Sequence, residues 1–152
     1  MTIVRLASLQ DILGLSHLST QLGYVCPAEK IQLFLKDLDH DPDHSVFVAE
    51  SDQGGLAGYV HVFKTKRLFL KPFAELGGLV VEKTFRGQGI GKTLLAASEM
   101  WAEDQGCQEM RVRSNVLRER ARPFYLDAGY QDHKKQTVYL KIISIDPGDS
   151  HE

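Results

Sequence analysis

The sequence predicts an α/β protein with a mixed, mostly antiparallel central sheet of about six to seven strands and helices on both faces. Two observations lead to this prediction. Strand-like and helix-like apolar patterns follow each other in the order strand, two helices, three strands, helix, strand, helix, strand. The length of 152 residues is that of one ordinary domain. We therefore expect a single domain over residues 1–145 and a polar tail over 146–152.

The first part of the chain predicts one strand and two helices. Residues 2–6 form a short apolar strand, and Ser8 then stands in the position of an N-cap. Apolar residues at helical spacing predict a first helix that ends at Gly23. Pro27 suits the first turn of a second helix. The polar run 39–44 ends that helix, and its Asp and His residues are typical of a solvated turn rather than of a metal site.

Three strands are predicted next. Residues 45–50 and 56–63 flank the turn sequence DQGG and predict an antiparallel hairpin. The apolar pattern does not define where secondary structure begins or ends in the basic segment 64–71. Residues 74–81 predict the third strand, in which Gly77 and Gly78 indicate a bulge or the close approach of a ligand.

The second half of the chain predicts two helices, each followed by a strand. The first helix runs from about residue 90 to residue 105 and is followed by a strand centred on residues 110–113. A short helix ends at Gly129, and residues 135–143 predict the final strand.

Several classes of protein are excluded by the net charge, the apolar runs and the cysteine spacing of the sequence. Lys and Arg number 18 against 20 Asp and Glu, so the net charge of −2 predicts no general attraction to nucleic acid or to an anionic membrane. The start has no apolar core of signal-peptide length, and no apolar run approaches a membrane span, so we expect a cytoplasmic protein. Cys26 and Cys107 are far apart and predict neither a disulfide framework nor a zinc site.

The stretch 82–95, EKTFRGQGIGKTLL, joins an apolar strand to a helix through closely spaced glycines, which is typical of a phosphate-binding loop. The dinucleotide pattern starting at Gly87 fails because Lys92 stands where a glycine is required. The Walker pattern fails because Arg86 stands in place of its first glycine. A third pattern, [RQ]-x-x-G-x-[GA], fits as Arg86, Gly89 and Gly91.

On this loop the chain resembles the GCN5-related N-acetyltransferases, in which the same pattern holds the pyrophosphate of acetyl-CoA. The segment FYLDAGY at 124–130 is similar to a second motif of that family, [FL]-Y-x-x-x-G-[FY]. The resemblance extends over residues 3–143 and implies the acyl-CoA N-acyltransferase fold. It also implies an enzyme that uses acetyl-CoA and transfers the acetyl group directly to a primary amine in a ternary complex.

The resemblance implies roles for two side chains. Glu75 is the expected general base for the amine. His61 in the neighbouring strand is a second candidate base because an unperturbed histidine titrates near neutral pH, and a chain of water is a further alternative. Glu75 and His61 are also candidate substrate contacts. Tyr125 is the expected acid that protonates the departing thiolate. A backbone amide in residues 79–81 would hold the oxyanion.

The cofactor contacts also follow from the resemblance. Loop amides would bind the pyrophosphate, with added charge from Arg86 and Lys92. Family members commonly have an asparagine where this chain has Arg118, so Asn115 either replaces that contact or caps the helix. The cation for the 3'-phosphate is left open among Arg118, Arg120 and Arg122. The complete set of expected cofactor-binding residues is Leu79, Val80, Val81, Arg86, Gly87, Gln88, Gly89, Ile90, Gly91, Lys92, Asn115 and Arg118.

Two other functions compete with this interpretation. A non-catalytic acyl-CoA-binding sensor of the same fold would bind the cofactor without turnover. A phosphate-loop nucleotidase would need the missing glycine and an aspartate after the strand EMRVR. The expected partner is a small-molecule amine, which an aminoglycoside, a polyamine or an amino acid could provide, and a protein amine is a further option. A homodimer is a reasonable expectation from the resemblance.

Overall fold

The computed structural model describes residues 2–114 and 119–145. They belong to two compact units, with a boundary between residues 116 and 117. The described part of the first unit holds a sheet with helices, and that of the second holds a single short helix.

The elements of the first unit follow the predicted order. In chain order they are β1 (Ile3–Leu6), α1 (Ile12–Thr20), α2 (Ala28–Leu38), β2 (His44–Glu50), β3 (Leu56–Arg67), β4 (Leu70–Val81), α3 (Ile90–Asp104) and β5 (Met110–Val112).

The five strands form one sheet in the order β1-β2-β3-β4-β5. The first three pairings are antiparallel, and β4 and β5 are parallel. A parallel pair needs a crossover connection, which α3 provides. The sheet is therefore mixed and mostly antiparallel, as the sequence predicts.

Helices cover both faces of this sheet, because side chains alternate between its faces along each strand. On one face Val48 is fully buried against α1 and α2, through Leu15 and Leu35. On the other face Val60 is fully buried against Leu94 of α3. The predicted α/β class with helices on both faces is thus confirmed.

The sheet has five strands in the described residues instead of about six to seven, because the predicted last strand is absent. Residues 131–145 contain no helix or strand, although 135–143 have the apolar pattern of a strand. A strand needs a neighbouring backbone for its ladder hydrogen bonds. The described part of the second unit offers only a helix, so the pattern alone does not produce a strand there.

Strands β3 and β4 are longer than the sequence predicts. They extend through the basic segment 64–71 and meet at a turn at residues 68 and 69. Pro72 lies inside β4, opposite a register shift between Thr65 and Arg67. A proline cannot donate to a sheet ladder, and the irregular pairing accommodates it.

In the second unit, α4 spans Ala121–Asp127 and confirms the predicted short helix. Gly129 follows it at φ 94°, a left-handed backbone that a glycine adopts without strain. No helix in the described residues combines the length and the apolar character that crossing a bilayer requires.

Candidate active site

The glycine loop connects β4 to α3. Glu82 opens a short 3-10 turn by accepting hydrogen bonds from the backbone and the hydroxyl of Thr84. Gly87 and Gly89 then adopt φ values of 83° and 81°, which other residues rarely adopt. A Cβ at either glycine would meet nothing within 4 Å, so the space beside this backbone is open to a ligand.

The helix α3 begins directly after Gly89, which is its N-cap residue. Its first intrahelical bond runs from the amide of Thr93 to the carbonyl of Gly89. The amides of residues 90–92 therefore lie in the first turn, at the positive end of a helix of 15 residues. The loop and this turn provide the backbone amides that an anion such as pyrophosphate requires.

The side chains of the loop have different environments. Arg86 is exposed and donates from Nε to the carbonyl of Val81 at 3.3 Å, so its side chain lies against the end of β4. Gln88 and Lys92 are exposed as well. Ile90 and Val80 are buried in the core, so only their backbones can contact a ligand.

Before the loop, β4 separates from β5. The two strands pair only through Ala74–Met110, Glu75–Arg111 and Leu76–Val112. Residues 78–81 remain paired with β3, and Gly77 is the extra residue of a bulge in that ladder. Within residues 2–114 and 119–145, the second edge of 77–81 has no strand partner. We call this opening the fork, and it includes the predicted backbone contacts Leu79, Val80 and Val81.

Glu75 lies beside the fork, one residue before the last β4–β5 pair. It is in the middle of β4 and not at its head, because the strand begins five residues before Glu75, at Leu70. Its carboxylate is buried, with Oε2 accepting from Thr65 Oγ1 at 2.7 Å and Oε1 from Arg113 Nε at 2.9 Å. Both oxygens are thus held in a defined orientation.

His61 faces α2 on the neighbouring strand and lies in an aromatic cluster. Its Nε2 is 2.9 Å from Nδ1 of His44, and the rings of Phe34 and Phe63 lie against it at 5.2 and 5.4 Å. Burial, followed by the charge of His44, lowers the pKa of His61 to about 4. The imidazole is therefore neutral at pH 7, and it is a weak proton acceptor for an ammonium group.

Tyr125 lies on α4 in the second unit. Its ring contacts Phe124 at 5.1 Å and Tyr130 at 5.6 Å, both with edge-on geometry. The amide of Tyr130 donates to the carbonyl of Tyr125 at 2.9 Å and closes the end of the helix. The expected contacts Asn115 and Arg118 lie outside the described residues.

The structure thus brings together the loop, the fork and Glu75 along one strand, with His61 beside the fork. It also identifies two residues that the sequence did not single out, Thr65 and Arg113. The alternation in EMRVR predicts that Arg111 and Arg113 point to the same side of the chain, and this pattern was a usable signal. No comparable sequence signal pointed to Thr65, because it lies in segment 64–71, whose ends the apolar pattern does not define. The catalytic and cofactor roles of all these residues remain predictions.

Comparison with known proteins shows the family to which this chain is similar. The family model described as "Acetyltransferase (GNAT) family" matches residues 10–130. An aminoglycoside N(6')-acetyltransferase type 1 of Stenotrophomonas maltophilia is 27% identical over 107 residues, which cover 67% of this chain and 69% of the relative. An aminoalkylphosphonate N-acetyltransferase of Salmonella typhimurium is 40% identical over 67 residues, or 43% of this chain and 44% of the relative.

Solved structures show the same fold. AAC(6')-Iy in complex with the bisubstrate analogue CoA-S-monomethyl-acetylneamine has a TM-score of 0.82 at 20% identity, covering 93% of this chain and 99% of that one. Glucosamine-6-phosphate N-acetyltransferase from Arabidopsis thaliana has a TM-score of 0.79 at 21% identity, covering 92% and 98%.

Proposed function

Because this chain belongs to the acetyltransferase (GNAT) family, we propose that it transfers an acetyl group from acetyl-CoA to a primary amine of a small molecule, by direct attack in a ternary complex. The main support is the continuity of β4, whose open edge at residues 77–81 leads directly into the glycine loop. An extended ligand with a phosphate end can lie along such an edge and terminate at the first turn of α3.

The residues present fit acetyl-CoA, a co-substrate of this family. Open space beside Gly87 and Gly89 and the first-turn amides of α3 suit the pyrophosphate. The free edge of residues 79–81 suits the pantetheine arm and the acetyl carbonyl. When bound, acetyl-CoA supplies an acetyl thioester.

The amine must lose a proton before it can attack. An alkyl-ammonium group has a pKa of about 10.4, so its neutral form at pH 7 lies about 4.6 kcal/mol higher in free energy. We assign Glu75 as the base, because its carboxylate adjoins the fork and is oriented by Thr65 and Arg113. His61 is the weaker candidate, because its Nε2 is engaged by Nδ1 of His44 at 2.9 Å within the aromatic cluster.

We assign Tyr125 as the acid that protonates the departing thiolate. This assignment is supported by the helix that carries it, which is the predicted short helix and is followed within two residues by the glycine of the motif. A phenol has a pKa of about 10. This pKa is close enough to that of a thiol for a proton to pass easily from the phenol to a thiolate.

Two chemical classes of acceptor are suggested by the relatives. Their names describe acetylation of aminoglycosides and of aminoalkylphosphonates, both of which are small-molecule amines. We therefore extend to this chain the class that they share, a small molecule with a primary amine.

A screen of amines with acetyl-CoA, monitored by the release of free thiol, tests the proposal. We expect thiol release with at least one small amine, and Tyr125→Phe should then lower kcat by about 10²-fold or more. Tyr130→Phe is the matched control, since it removes a hydroxyl from the neighbouring ring and should leave kcat unchanged. Binding of acetyl-CoA without thiol release for any amine would contradict the proposal and favour a non-catalytic sensor.

A further inference from the structure

A cavity of about 360 Å³ lies where β4 begins and where the chain enters β5. Its lining includes the cations Lys71 and Arg111 and the polar residues Gln108 and Glu109. Arg111 is also the ladder partner of Glu75. The cavity therefore shares one lining residue with the ladder pair that contains the residue we assign as the base.

Two guanidinium groups are fixed around one ring beside this cavity. The Cζ atom of Arg111 lies 4.0 Å from the ring centroid of Phe73, and that of Arg67 lies 5.8 Å from the same centroid. Phe73 is itself fully buried, so the ring is a rigid support. Stacking on an aromatic face fixes the guanidinium plane and leaves its edge N–H groups to meet a ligand.

Positive charge exceeds negative charge in this region. We call Arg67, Lys71 and Arg111 the basic patch. Its ion pair among the described residues joins Arg111 Nη2 to Glu109 at 3.2 Å, and the side chain of Glu109 is 63% exposed. The neighbouring ion pair of Arg113 with Glu75 has no net charge. Three cations are thus accompanied by one ion-paired, solvent-exposed carboxylate, which favours an anionic ligand and opposes a polycation.

Building on the proposed function, we propose that the acceptor is a primary amine that also carries an anionic group, either a carboxylate or a phosphate or phosphonate. The basic patch binds the anionic group while the amine lies beside Glu75 at the fork. Adjacent strand residues are about 3.3 Å apart, and the last β4–β5 pair follows Arg111 by one residue. The guanidinium groups of Arg67 and Arg111 lie near Phe73, two residues before Glu75 on β4, so an anion there and an amine beside Glu75 are about 7 Å apart along the strand. A short linker spans this distance.

Matched acceptor pairs test this proposal, because the members of each pair differ in the anionic group. Phosphoethanolamine is compared with ethanolamine, and β-alanine with propylamine, with spermidine as the polycation. We expect kcat/KM of the wild type to be at least about tenfold higher for one or both anionic members than for their neutral partners. Equal values within both pairs, or a preference for spermidine, would overturn the proposal.

Variants of the patch identify its role. Arg67→Gln and Arg111→Gln should each raise KM for the anionic amine by about tenfold and leave KM for ethanolamine and for acetyl-CoA unchanged. Arg67 is exposed, so its variant retains the fold even if Arg111→Gln weakens the contact with Phe73. Lys36→Gln in the last turn of α2 removes the same charge elsewhere and should change none of these constants. An unchanged KM in both arginine variants would refute the assignment.

A binding experiment separates this inference from the proposed function. Phosphoethanolamine and β-alanine are titrated calorimetrically into protein saturated with coenzyme A, which requires no turnover. Binding that Arg67→Gln weakens supports the inference even if no amine releases thiol, and in that case only the proposed activity fails. If neither compound binds, the inference fails even if other amines are acetylated.

Discussion

The imidazole of His61 is surrounded by aromatic rings on the sheet face that α2 covers. Phe34 meets it edge-on, and His44 is stacked against it at a centroid distance of 5.2 Å. Both burial and the neighbouring histidine penalise a charge on His61, and its pKa falls to about 4. The folded protein therefore keeps His61 neutral over a pH range in which the unfolded chain protonates it.

This shift predicts a pH dependence of stability. The unfolded imidazole has a pKa near 6.5 and the folded one near 4. Between these values the unfolded state binds the extra proton, so stability is complete above about pH 6.5 and is lost as the pH falls toward 4. His61→Gln removes the titration and should eliminate up to about 3 kcal/mol of this loss.

Urea unfolding of both proteins at pH 7 and at pH 4.5 measures the difference. Glutamine reaches the position of Nε2, so it is a close replacement for the neutral ring. If the wild type and the His61→Gln variant lose equal stability between the two pH values, the low pKa of His61 is wrong.

Single residues of the site could be predicted from the sequence only where they belong to a local motif. The glycine loop was recognisable because its residues are adjacent in the chain. The partners of Glu75 are Thr65 and Arg113, which are 10 and 38 residues away. No local pattern links residues so distant, and only the pairing of β3, β4 and β5 brings them together.

At the scale of elements, strand β4 changes its pairing partners along its length. Residues 74–76 pair with strands on both sides, and residues 78–81 keep only β3 as a partner in the described residues. The change occurs at the bulge residue Gly77, where His61 occupies the adjacent space. A Cβ at position 77 would lie 2.9 Å from Cε1 of His61 and closer still to Nδ1. The bulge and the histidine ring are therefore sterically matched.

This contact predicts that a larger residue at position 77 is tolerated better when the residue at position 61 is smaller. Gly77→Ala should destabilise the protein by about 1–3 kcal/mol and shift the backbone of the fork, which raises KM for acetyl-CoA. Adding His61→Ala removes the clashing ring and should restore part of the affinity for acetyl-CoA, although His61→Ala alone creates a cavity. Chemical denaturation and initial rates at varied acetyl-CoA measure both effects. Strictly additive effects in the double variant would contradict the steric match.

The order of the elements up to α4 could be predicted from the sequence, but the length of the β3–β4 hairpin and the outcome for residues 135–143 could not. The basic residues of the β3–β4 hairpin lack the apolar alternation of a strand, yet their backbones pair because the hairpin continues beyond its buried part. The apolar segment 135–143 shows the opposite case, with a strand-like pattern and no ladder in the described residues. In both cases, strand formation depends on whether a partner strand is present. The local composition of a segment does not show this.

At the scale of the whole molecule, a bound cofactor should stabilise the folded chain. A ligand that binds only the native state at about 100 times its Kd adds about 2.7 kcal/mol. For a chain of this length, that corresponds to a rise in Tm of roughly 5–10 °C. The size of the rise thus reports whether the glycine loop is intact.

Two glycines with the same backbone conformation provide the test. Gly89 in the loop and Gly106 after α3 have φ values of 81° and 82°, and both Cβ positions are open. Alanine at either site should cost about 1–2 kcal/mol in strain. Only Gly89→Ala should reduce the rise in Tm with acetyl-CoA, as scanning calorimetry can measure. An equal rise in the two variants would exclude Gly89 from the binding loop.

The fork also affects how this protein avoids aggregation. The backbone edge of residues 77–81 has no strand partner in the described chain, and such edges can template pairing with another molecule. Charged side chains beside an open edge oppose this association. Arg113 follows the last residue of β5, is about half exposed and lies at the mouth of the fork. We expect its ion pair with Glu75 to oppose the approach of a foreign strand, because both charged groups would have to lose water.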